Sequence, residues 1–212
     1  MNLVFYDCRT APSPRRARIL LAEKRVPHTV EEVDLAGGAQ FSEAFRRINP
    51  DCTVPVLVTP EDGVLTDNAG IAAWLEARYP EPPLFGVHAA ELAQVASWHF
   101  RAEHEGLMAV GEALRNGSPA MANRALPGPV NYPQIPALAE RGRLRIQQFF
   151  DTLEARLRDH RYLAGENFSI ADVTAVVAVD FARVVRLRPD PERHAQLLRW
   201  RETLSQRPSI GP

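Results

Sequence analysis

The chain has 212 residues, 45% of them hydrophobic, and its 25 Lys and Arg nearly balance 26 Asp and Glu. That length holds one large domain or two smaller ones with a real core, and the near-zero charge argues against any global attraction to nucleic acid or to an anionic membrane. No apolar run reaches membrane-spanning length and the start lacks the pattern of a secretory leader. Cys8 and Cys52 have neither the number nor the spacing of a disulfide framework or zinc site, so a reducing cytoplasm is the expected compartment.

In chain order, residues 2 to 6 read as a short apolar strand, and after Pro12-Ser13-Pro14 a helix is expected from Arg15 to Lys24, the sole lysine. A strand is expected over Thr29 to Asp34. Past Gly37-Gly38 come an amphipathic piece, Phe41 to Ile48, and two strands, Val56 to Val58 and Val64 to Thr66, joined by Pro60-Glu61-Asp62-Gly63. A helical pattern from Ala69 to Tyr79 closes a β-α-β-α-β-β-α order, which describes an α/β domain with a mixed sheet.

Two spots in this half carry chemistry. Pro55, in Asn49-Pro50-Asp51-Cys52-Thr53-Val54-Pro55-Val56-Leu57, stands where a buried strand begins. Proline cannot donate to a ladder, so Pro55 belongs at an edge, at a bulge or after a cis bond, and each option frees the Val54 backbone for another partner. Asp67 and Asn68 fall where a helix starts, a natural place for a carboxylate ligand.

Pro80-Glu81-Pro82-Pro83 reads as a stiff linker. The expected division is therefore residues 1–80, a linker over 81–88, and 89–212. Beyond it strand signals nearly vanish, and helical periodicity runs over Glu91 to Arg115, Ile135 to Asp159, Ile170 to Val185 and Pro191 to Gln206: a helix bundle. Gly117 to Pro133 is too long for a simple connection, so it is either disordered or covers a pocket. Arg141 to Arg145 alternate with apolar residues, as on a solvated helix face. Ser169 three residues before Asp172 forms a capping box with Asp in place of Glu, and Phe168 is placed to act as its staple. His99, Glu103 and His104 do not match a metalloprotease spacing, and no metal is expected.

Val-Pro after Asn-Pro, a polar pair opening the last helix of the α/β half, a proline linker, an all-helical second half and the Ser169-Ile170-Ala171-Asp172 box together resemble the cytosolic glutathione transferase family, over the whole chain. The resemblance implies a thioredoxin-like first domain in which Pro55 is cis and the Val54 backbone pairs with the cysteinyl part of glutathione. It implies that Asn68, usually a serine in the family, holds the γ-glutamyl carboxylate, with Asp67 before it. Asn can cap a helix and donate much as serine does. Cys52 stands where the family often has glycine, and the family role of the Ser169–Asp172 box is structural.

Glutathione chemistry needs a thiolate, so a hydrogen-bond donor is required where the first helix starts. Ser13, just before Pro14, fits best, with Thr10 next; the bland reading of Ser13 as a helix cap stands beside the catalytic one. Tyr6 reads as core packing with its hydroxyl at the rim, and both cysteines as buried and inert. The expected activity is addition of glutathione to a small hydrophobic electrophile by a homodimeric detoxification enzyme. The alternatives are glutathione-dependent isomerisation, disulfide reduction through Cys8, and a binding or assembly module without catalysis.

Overall fold

The computed structural model describes residues 3–211, so Asn2, the expected start of the first strand, lies outside them. These residues form two compact units. One runs through Pro82 and includes Leu126–Asn131; the other is Pro83–Ala125 with Tyr132 onward. The Leu126–Asn131 segment, expected with the helical half, therefore folds with the first unit.

The first unit is a four-stranded mixed sheet with three helices, a thioredoxin-like arrangement. Its strands are β1 (Leu3–Asp7), β2 (His28–Glu32), β3 (Val56–Thr59) and β4 (Gly63–Leu65), in the order β2-β1-β3-β4. β1 is parallel to β2 and antiparallel to β3, and β3 is antiparallel to β4. β1 and β3 are central because their apolar side chains fill the core: Phe5, Val56 and Leu57 are fully buried. β2 lies at the edge, where exposed Thr29, Glu31 and Glu32 flank the exposed Val30 with polar and charged side chains. It begins and ends earlier than Thr29 to Asp34, because pairing with β1 stops at Glu32 opposite Asp7.

Helices α1 (Pro12–Glu23), α2 (Glu43–Ile48) and α3 (Asn68–Arg78) complete this unit. α1 turns Ala17, Ile19, Leu20 and Leu21 inward. At its end the buried Lys24 ammonium pairs with Glu76 of α3 (2.7 Å) and donates to the carbonyls of Tyr79 (2.6 Å) and Pro82 (2.9 Å). The only lysine thus fastens α1 to the far end of α3.

The second unit is all helical. α4 (Ala89–Arg101) continues through a π-helical turn, Ala102–Leu107, into α5 (Met108–Gly117), followed by α6 (Pro136–Leu157), α7 (Ile170–Phe181) and α8 (Ala195–Ser205). One uninterrupted helix was expected from Glu91 to Arg115; the π turn sits where Gly106 meets α6, and a Cβ there would stand 2.5 Å from the Phe149 ring. Gly142 of α6 lies equally close to α5, where a Cβ would come within 2.7 Å of the Ala113 nitrogen.

The connection between α5 and α6 is ordered rather than disordered. A short 3-10 turn, Pro119–Met121, is followed by a bridge between Arg124 and Tyr132. Its ends are held by the Gln134 amide, which donates to the carbonyls of Arg115 and Ser118 (2.7 Å each), and by Asn116, whose Oδ1 accepts from Ile135 N–H (3.0 Å).

The capping box opens α7. Asp172, wholly buried, accepts from Ser169 N–H and its hydroxyl (3.1 Å each), from Leu163 N–H (3.0 Å) and from Trp200 (3.1 Å). Burial pushes this carboxyl up to about 6, against the pull of those four donors. Phe168 packs on Tyr162 and under Arg207. The last helix starts at Ala195 rather than Pro191, because the preceding residues form a turn closed by Asp190 N–H on His194 Nδ1 (2.8 Å). Its N-terminus has no cap of its own; Glu154 of α6 accepts from Gln196 and Leu197 N–H (2.9 and 3.0 Å).

Candidate active site

The strand register gathers three loops at one end of the sheet. Tyr6 near the end of β1 pairs with Val56 at the start of β3, and Leu57 of β3 pairs with Leu65 at the end of β4. The β1–α1 turn, the Val54-Pro55 step and the Asp67-Asn68 pair therefore project from the same edge of one unit.

The turn before β3 is clasped by Asn49. This residue is fully buried; its Nδ2 donates to the Thr53 carbonyl (2.9 Å) and hydroxyl (3.1 Å), while its Oδ1 accepts from Asp51 N–H (3.0 Å). Cys52 N–H returns to the Asn49 carbonyl (3.1 Å) and Cys52 takes φ of +54°, the left-handed conformation that favours glycine. Its Sγ rests on the Pro50 carbonyl and is buried. The Val54-Pro55 bond is cis. Pairing resumes only at Val56, and no described residue hydrogen-bonds to the Val54 main chain. Its side chain meanwhile packs in a cluster with Cys8, Val33, Phe45 and Val56.

α3 opens at Asn68 with Asp67 as its cap: Asp67 Oδ1 accepts Gly70 N–H at 2.8 Å. Asn68 occupies the first helical position, and its Oδ1 is buried with no hydrogen-bond partner. A buried amide left half-used is costly, and a ligand that engages this side chain would relieve it.

α1 begins earlier than the sequence suggested, and Ser13 is not its cap. Pro12 takes the first helical position and holds Ala11 extended (φ −88°, ψ 139°), because the residue before a proline avoids the helical region. The cap is Ala11, without a side-chain hydrogen bond, and Ser13 and Pro14 fall inside the first turn. Of the four N–H groups such an end leaves over, Pro12 and Pro14 have none and Ala11's goes to the Cys8 carbonyl (3.0 Å). The Ser13 N–H remains. Its hydroxyl oxygen accepts from Arg16 Nη2 at 3.3 Å, which leaves its own proton available.

Thr10 is exposed, with Oγ1 3.5 Å from Cys8 Sγ, and the Cys8 thiol is buried. Tyr6 packs edge-on against Phe45. The turn itself is held by Arg18, whose Nη1 reaches both oxygens of the buried Asp7 (2.6 and 2.5 Å), and by Arg9 N–H on Glu32 (2.9 Å). Sequence reasoning missed Asn49 and the Arg18–Asp7 pair; the Asn-Pro pair at a helix end was the available signal for the first. Among the described residues no three His, Cys, Asp or Glu gather as a metal-binding group.

The family models for the N-terminal domain of glutathione S-transferase, over residues 10–78, and for its C-terminal domain, over residues 119–208, both match this chain. Glutathione S-transferase 2 of Saccharomyces cerevisiae is 31% identical over 99% of this chain and 88% of its own length. The chain belongs to the glutathione S-transferase family. The transferase is also 30% identical to the disulfide-bond oxidoreductase YfcG of Escherichia coli, over 97% of this chain and 92% of that protein. A crystal structure of a glutathione S-transferase domain-containing protein from Marinobacter aquaeolei superposes with a TM-score of 0.85 at 32% identity, over 98% of this chain and 99% of that one.

Proposed function

We propose that this glutathione transferase lays glutathione along the Val54 main chain as an added strand. Val54 N–H and C=O pair with the cysteinyl residue, Pro55 turns the chain away from it, and Asn68 receives the γ-glutamyl carboxylate at the N-terminus of α3 with Asp67 beside it. The observation that carries this reading is the unpaired Val54 backbone, at the sheet edge that also bears the α1 and α3 starts. Ser13 activates the thiol, its N–H and O–H both being free to face a thiolate, and Thr10 is the second candidate. The activated thiol adds to a small hydrophobic electrophile. The enzyme acts in the cytoplasm in detoxification, without a metal, as a homodimer. Exposed Leu92 and Phe100 on α4 supply apolar surface for that pairing, and the mass in solution, twice 23.6 kDa or not, tests it.

Calorimetric titration with glutathione should show binding that weakens about tenfold or more in Asn68→Ala, the loss of a charge-assisted hydrogen bond. On an electrophile panel Ser13→Ala should lower kcat/KM by about 10- to 100-fold, with Thr10→Ala milder. No binding of glutathione by the intact protein would overturn the reading in favour of a non-catalytic module. The likeness to YfcG favours one second reading, disulfide reduction with glutathione as reductant. The burial of Cys8 means that Cys8→Ser should leave such reduction intact.

A further inference from the structure

Arg16, one turn into α1, is only 5% exposed, and its Nη2 donates to the Ser13 hydroxyl oxygen at 3.3 Å. Arginine is seldom buried this far, because the lost hydration of its charge has to be replaced by hydrogen bonds. One of those bonds goes to the side chain that the proposed function sets against the thiol. Residues three apart share a helix face, so the contact follows from the spacing of Ser13 and Arg16.

The start of α1 is short of donors. A helix beginning ordinarily presents four N–H groups to an anion. Here Pro12 and Pro14 contribute none, and that of Ala11 goes to the Cys8 carbonyl (3.0 Å). Much therefore depends on the Ser13 hydroxyl and on where its proton points. A hydroxyl has one proton and two lone pairs, and it rotates. A guanidinium N–H on one lone pair fixes the oxygen and turns the proton away from Arg16, and a charged donor polarises the O–H so that it donates more strongly. The first turn of α1 carries no acidic residue to oppose this. Of the other charges around it, Arg18 is paired with the buried Asp7 (2.5 Å), Glu32 accepts from Arg9 N–H (2.9 Å), and Arg9 is itself exposed. On α3, which packs against α1, Glu76 is paired with Lys24 (2.7 Å) and Asp67 accepts from Gly70 N–H (2.8 Å).

We propose that Arg16 is a positioning residue for the transfer: from inside the fold it holds the Ser13 hydroxyl with its proton toward the glutathione thiol and strengthens that hydrogen bond, so that the bound thiol ionises more readily. Arg16 acts through Ser13 and not on the substrate. The inference rests on Ser13 being the activating group.

The test is the ionisation of bound glutathione, read from the ultraviolet absorbance of its thiolate against pH, beside kcat and KM for glutathione at a fixed electrophile concentration. Ser13→Ala should raise the pKa of the bound thiol. Arg16→Met should raise it by about 1 pH unit and lower kcat about tenfold below that pKa, with KM for glutathione little changed. Arg16→Lys, which keeps a cation and a donor, should recover most of the loss. If methionine at this buried position prevents folding, Arg16→Gln, neutral but polar, carries the same expectation. Added to Ser13→Ala, the Arg16 substitution should change nothing further, whereas a general loosening of α1 would act equally in both backgrounds. A thiol pKa that stays at the wild-type value in the neutral Arg16 variant, or that moves equally with and without the Ser13 hydroxyl, overturns the proposal and leaves the role of Ser13 standing. If Ser13→Ala itself changes neither the thiol pKa nor kcat, the activating role of Ser13 falls and that of Arg16 falls with it.

Discussion

At the scale of single residues, the edge before β3 is shaped by a fully buried side chain. Asn49 uses both ends of its amide to hold Asp51 and Thr53, and through them the approach to Val54. Asn49→Ala would take from the half-buried Thr53 carbonyl and from the Asp51 N–H the partner that holds the turn. The expected cost is about 2–4 kcal/mol of stability, measured by urea unfolding, together with weaker glutathione binding in the folded variant. Asn49→Asp should separate the two roles of the amide: it still accepts from Asp51 N–H but cannot donate to Thr53. Pro55 and the Asp67-Asn68 pair were legible beforehand because a proline at a strand start and polar residues at a helix start are local statements. Ser13 was misplaced for an equally local reason. Pro12 and Pro14 both suit the first helical position, and only the extended Ala11 decides between them.

At the scale of elements, the helical unit depends on two glycines that let backbones touch. Gly142 sits against Ala109 and Ala113 of α5, with no room for a methyl group. Gly142→Ala should therefore cost stability despite the better helix propensity of alanine, by about 1–3 kcal/mol, seen as a lower denaturant midpoint at unchanged slope. The existence and order of the helices were legible from periodicity, but their ends were not. The start of α8 is set by Glu154, 42 residues before the N–H it accepts, and the π turn after α4 by Phe149 of α6. Neither partner is visible from the stretch of chain it controls.

At the scale of the whole molecule, the buried Asp172 couples folding to pH. Its carboxyl rises from 3.8 to about 6 on folding, so the native state holds the proton more tightly than the unfolded chain. The stability this supplies is fully present below about pH 4 and is lost as the pH climbs through 6, a change of about 3 kcal/mol. Asp172→Asn removes the titration. The difference in unfolding free energy between wild type and variant should therefore shrink by that amount from pH 4 to 7, while carboxyls common to both, such as Glu91 and Asp190, cancel. A constant difference would mean that the carboxyl is ionised throughout.

The placement of Lys24 has a practical corollary. Its ammonium is 1% exposed and engaged with Glu76, Tyr79 and Pro82, and the chain has no second lysine. An amine-selective acylating reagent therefore finds no side chain to modify while the fold is intact. Incorporation at this position would register excursions that open the first unit, one tag per opened molecule, making the protein its own reporter of transient unfolding.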